Sequence, residues 1–119
     1  MDDVARRRER LLADLGRSEA ELSRLERDHA SLIEASESSN ADDEHDPEGA
    51  TIAFEREQLV SIMTRVRRTA GDLRQALRDL EDGSYGTCVG CGQPIDPARL
   101  EVRPQAKSCV TCADPRRRP

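Results

Sequence analysis

The sequence predicts an all-α fold: a long antiparallel coiled-coil hairpin followed by a small C-terminal module rich in cysteine. Three observations carry this expectation. Two leucine-rich stripes repeat every seven residues, a run of helix-breaking residues separates them, and two close cysteine pairs lie in the last third of the chain.

The first stripe runs from about Asp2 to Ser36. Val4, Leu11, Ser18, Leu25 and Leu32 recur every seven residues, and Leu15, Leu22 and His29 fill the second heptad position. Arg8 interrupts that second series, Leu12 and Ile33 widen the stripe, and only Gly16 weakens the helix. His29 falls on the seam and reads as a tolerated polar core residue. Residues 36–50 then break the pattern with Ser, Asn, Asp, Pro and Gly, which compete with helical backbone hydrogen bonds or restrict them. This is the expected turn, with Asp46 placed to cap the next helix and Pro47 in its first turn. The second helix, from Pro47 or Thr51 to Asp82, repeats Ile52, Leu59, Val66, Leu73 and Leu80, with Met63, Ala70 and Leu77 between them. Arg56 breaks this series near the turn, and Gly83 stands where a C-cap belongs. Each arm is roughly 50 Å long at helical rise. Matched arms joined by a short polar turn fold back so that each buries the other's stripe; a parallel homodimer of two-helix chains is the alternative.

Composition agrees with a thin structure. Hydrophobic residues make up 35% of the 119 and charged residues 36%, too polar a balance for a thick core but suited to a narrow seam. Tyr85 and Phe54 are the only aromatics, which excludes an aromatic core and a base-stacking surface for single-stranded nucleic acid. Net charge is −5, unevenly spread. Residues 36–50 hold six carboxylates and no Lys or Arg, whereas the end of the chain carries Arg99, Arg103, Lys107 and the run Arg116 to Arg118. An acidic middle repels DNA backbone, so sequence-specific DNA binding is not expected, and the arginine run reads as a disordered tail. No signal-like apolar stretch follows the N-terminus and no apolar run is long enough to span a membrane, so a cytoplasmic monomer is expected.

The cysteines form C-x2-C-x17-C-x2-C: Cys88, Cys91, Cys109 and Cys112. Two residues between cysteines let one tight turn aim both sulfurs at one ion, and two such turns complete a tetrahedron, as in four-cysteine zinc sites. Gly90 and Gly92 permit the tight backbone, and Arg99, Arg103 and Lys107 are near enough in sequence to offset the thiolate charge. In a reducing compartment this spacing favours metal over disulfides, and a redox dithiol lacks its usual βαβ context. Four sulfurs leave no open coordination position, so the expected Zn2+ is structural and no enzyme is expected. The chain therefore divides into a hairpin over residues 1–82 with its acidic tip at about 36–50, a four-cysteine finger over 83–113, and a short basic tail over 114–119.

The run Leu80-Glu81-Asp82-Gly83-Ser84-Tyr85-Gly86-Thr87-Cys88, with Cys91-Gly92, Ile95, Arg99-Leu100-Glu101, Arg103-Pro104 and Cys109 with Cys112, resembles the DksA/TraR family of C4 zinc-finger regulators of bacterial RNA polymerase. The resemblance is most specific over residues 80–112. It implies a protein that binds RNA polymerase rather than DNA, with its coiled coil in the secondary channel and acidic tip residues near the active site. The family tip pattern, Asp-x-x-Asp-x-Ala, aligns with His45-Asp46-Pro47-Glu48-Gly49-Ala50. Glu48 and Ala50 fit, while His45 stands at the first acidic position with Asp46 beside it. The resemblance also makes Arg99 and Arg103 candidate contacts to the polymerase surface. Longer members continue into a further helix that helps form a site for ppGpp. Here Pro115 and the few remaining residues leave no room for one, so a ppGpp role is left open. The competing expectation is a coiled-coil zinc-finger adaptor for another protein partner. A likeness to transcript-cleavage factors is one of shape only.

Overall fold

The structure, a computed structural model, describes residues 2–38 and 47–117. His45 and Asp46 of the expected tip, the proposed Asp46 cap and Arg118 of the tail lie outside the described residues, as does the side chain of Glu48. Two long helices dominate: α1 over Asp2–Ser38 and α2 over Pro47–Asp82. Two short ones follow, α3 over Pro97–Val102 and α4 over Val110–Ala113, and a 3-10 turn over Pro115–Arg117. The described residues contain no β-strand, only a single antiparallel bridge between Thr87 and Pro94. The fold is an antiparallel helical hairpin with a C-terminal cysteine cluster.

The chain divides into two compact units, one of Met1–Arg17 with Thr69–Pro119 and the other of Ser18–Arg68. In the second unit, Leu25, Met63 and Val66 are buried, and Leu22, Leu59 and Ile62 pack against them. An exposed ion pair joins Arg67 to Glu26 across the two helices at 3.2 Å. Such an exposed pair adds under about 1 kcal/mol. His29 is half-buried, as its seam position requires, and Ala50 is exposed.

In the first unit, Leu11 and Leu73 are essentially inaccessible to solvent and pack with Ala76. Leu15, Leu77, Leu80 and Tyr85 close around them. Burying each such leucine contributes about 1.5–3 kcal/mol, so this cluster anchors the open end of the hairpin. Later residues of α1 meet earlier residues of α2, which makes the pairing antiparallel: Leu11 packs with Leu73 and Ala76, Leu25 with Met63 and Val66. The periodic seam therefore runs where the heptads place it. Ala76 joins it although no heptad position selects it, and Leu12, expected to widen the stripe, is 51% exposed.

Helix α2 ends at Gly83, whose φ of +85° is open to glycine at little cost. The amides of Ser84 and Tyr85 both turn back onto the Asp79 carbonyl, at 2.9 and 3.1 Å. Asp82 accepts from the Ser84 hydroxyl at 2.6 Å and from its amide at 2.9 Å, and these bonds lower its pKa. The chain is thereby redirected straight into the cysteine module.

Candidate metal centre

The first cysteine pair sits on a tight knuckle. Cys88 donates its amide to the Gln93 carbonyl at 2.8 Å, and Gly92 returns its own to the Cys88 carbonyl at 2.9 Å. Gly92 has φ +74°, a conformation that a side chain would strain. The second pair uses a helix start. Cys109 is the N-cap of α4, and its sulfur accepts from the Cys112 amide at 3.4 Å. A cross-link joins the two knuckles, because the Cys109 amide donates to the Cys88 sulfur at 3.3 Å and the Val89 amide to the Lys107 carbonyl at 2.9 Å.

The four Sγ atoms all lie within 4.8 Å of one another, and those of Cys91 and Cys109 are 4.0 Å apart. A tetrahedral zinc with bonds of about 2.3 Å needs sulfurs about 3.8 Å apart. The donor set and its spacing fit that ion. Cys88 is buried, Cys109 and Cys112 are half-buried, and Cys91 faces solvent. The amides of Cys109, Cys91 and Gly90 hold the Cys88 thiol down to about 6, so it is ready as a thiolate at neutral pH. The sulfurs of Cys109 and Cys88 push Cys112 up to about 12, so the ion must displace its proton. Structural Zn2+ is the cofactor of this finger, and with four thiolates committed it has no position left for a substrate.

Gly90 is held by close approach. A Cβ there would stand 3.0 Å from the Cys112 sulfur and 3.1 Å from its Cβ, while the Gly90 amide donates to the Cys88 sulfur at 3.3 Å. Backbone amides make these contacts to sulfur. Arg99 donates Nε to the Ser108 carbonyl at 2.9 Å, next to Cys109, and Lys107 pairs with Asp72 of α2 at 3.5 Å. Arg103 is exposed at the end of α3.

A small apolar core backs the cysteines: Cys88, Ile95 and Leu100 are buried, with Ala106 and Tyr85 against them. Tyr85 packs on this cluster and also on the Leu11–Leu73 cluster of the hairpin. Its hydroxyl donates to the Pro104 carbonyl at 2.8 Å, its ring lies under the Arg7 guanidinium at 5.5 Å, and burial raises its pKa. In the sequence Tyr85 stands as one of two aromatics and as part of the family-like run, without a structural role. The available signal was its being the one tyrosine of the chain, placed three residues before the first cysteine.

A leucine-seamed two-helix hairpin running into a four-thiolate finger defines a helical zinc-finger protein. Residues 83–118 match the prokaryotic DksA/TraR C4-type zinc finger. It is 45% identical over 58 residues to the RNA polymerase-binding transcription factor DksA of Caulobacter vibrioides, a match covering 47% of this chain and 41% of the relative. It is 32% identical over 77 residues to general stress protein 16O of Bacillus subtilis, covering 65% of this chain and 47% of that protein. The chain spans less than half the length of the curated relatives it matches. The solved structure of transcription factor DksA2 from Pseudomonas aeruginosa has the same fold, with a TM-score of 0.73 over 95% of this chain and 81% of that one at 24% identity.

Proposed function

We propose that this protein is a transcription regulator that binds RNA polymerase, its hairpin entering the secondary channel and its acidic segment acting near the active site. The observation that carries this reading is a DksA/TraR finger continuous with a two-helix hairpin: the chain is similar in sequence to relatives named RNA polymerase-binding transcription factors and shares its fold with the transcription factor DksA2. Physical reasoning supports it. Arms of roughly 50 Å are long enough to reach into a deep channel from its mouth. Six carboxylates over residues 36–50 form a probe that repels nucleic-acid backbone and responds to metal ions and basic side chains. Among the described residues no helix is long and apolar enough to cross a membrane. The zinc, saturated by sulfur, serves to fix the base of the hairpin rather than to catalyse.

In this reading affinity resides in the hairpin and finger, and regulation in Asp46 and Glu48, flanked by His45 and Ala50. The double variant Asp46→Ala, Glu48→Ala retains affinity for polymerase and loses its effect on transcript yield in a purified transcription assay. A double variant with the full transcriptional effect contradicts the tip mechanism. Failure of the wild-type chain to bind polymerase supports an adaptor for another protein instead.

A further inference from the structure

We propose that the first turns of α1 and the finger together form a docking crevice for an acidic side chain on the polymerase surface; this rests on the functional reading above and locates a contact for it. Arg6, Arg7 and Arg10 line one side of a cavity of about 130 Å³, and Leu100, Glu101 and Pro104 of the finger line the other. Tyr85 forms the remaining wall, with the Arg7 guanidinium stacked over its ring.

Size selects the occupant. Sites for small-molecule ligands usually occupy about 300–1,000 Å³, so this crevice is too small for a nucleotide or comparable cofactor. At about 30 Å³ per water it has room for roughly four, enough for one carboxylate and its carbon stem. The apolar atoms of Leu100, Pro104 and Tyr85 suit such a stem, and the guanidinium groups suit its head.

Charge narrows the choice further. Arg6 and Arg10 lie one helical turn apart, and each pairs within its own helix: Arg6 with the exposed Asp3 at 3.2 Å, and Arg10 with the half-buried Asp14 at 3.3 Å. Surface pairs of this kind are weak and exchange readily for a better-placed carboxylate. Glu101 on the opposite wall tempers the positive field, so the crevice favours a singly charged carboxylate over a dense phosphate cluster. Of the finger's cations, Arg103 is exposed and Arg99 is the least available. Arg99 is half-buried with its Nε on the Ser108 carbonyl, and Lys107 is paired with Asp72. The arginines of α1 thus add an electrostatic contact to the one proposed for Arg99 and Arg103.

The test uses the zinc-loaded full chain and purified cognate RNA polymerase, with affinity measured across a range of salt. Arg6→Gln with Arg10→Gln is expected to weaken binding on the order of five- to tenfold at low salt and to flatten its salt dependence. Glu101→Gln is expected to strengthen binding. Both changes are at exposed positions, and Arg7 is left in place because it stacks on Tyr85. Wild-type binding that the arginine variant leaves unchanged, in affinity and in salt dependence, overturns the crevice and spares the functional reading. Displacement of the wild-type contact by millimolar inorganic phosphate but not by glutamate overturns the carboxylate assignment. No binding by the wild-type chain overturns both readings together.

Discussion

Gly90 illustrates how much a single residue decides in the finger. Its amide supports the Cys88 thiolate, and its missing side chain leaves space for Cys112. Gly90→Ala drives a methyl group against a metal ligand that has little freedom to retreat. Zinc affinity is expected to fall on the order of 10–100-fold, as for other changes in the shell around a metal, readable by competition with a chromogenic chelator. Affinity equal to wild type would show that the second knuckle adjusts freely. The ligands were legible in the sequence because cysteine spacing encodes local turn geometry directly. Tyr85 was not, because its importance comes from contacts to Leu11, Leu73 and Pro104 that are remote along the chain. Nor does nearness in sequence say which group faces a sulfur: backbone amides of Gly90 and Cys109 donate to Cys88.

Among the elements, the long helices were readable because a seven-residue period sustained over several repeats has no other economical solution. Leu11, Leu25, Met63, Val66, Ala70 and Leu73 all fall on that period and all are buried. Leu12 and Ala76 show its limit, since the width of the seam depends on the partner helix. This difference gives a direct contrast. Leu73→Ala leaves a cavity in the Leu11 cluster and is expected to cost about 2–5 kcal/mol. Leu12→Ala, half in solvent, is expected to stay within about 0.5 kcal/mol. Urea denaturation of the two variants measures both, and equal losses would contradict the seam. Helices α3 and α4 escaped periodicity because they have only six and four residues. Capping chemistry was the better signal for α3: Asp96 accepts from the Ala98 amide at 2.9 Å and Pro97 occupies the first turn. For α4 the cap is Cys109, so one side chain serves both as helix start and as metal ligand.

At the scale of the molecule, the finger and the open end of the hairpin share a core through Tyr85, and the Lys107–Asp72 pair adds a second tie within the same unit. The cysteine module is thereby packed against the open end of the hairpin as well as on its own small core. That arrangement is what a regulator needs if its base docks outside a channel while its arms reach inside. The most direct measurement is equilibrium binding of the zinc-loaded chain to purified RNA polymerase, with and without a saturating protein already known to occupy the secondary channel. The account predicts saturable binding that the competitor abolishes. Binding that persists undiminished beside the competitor would contradict it.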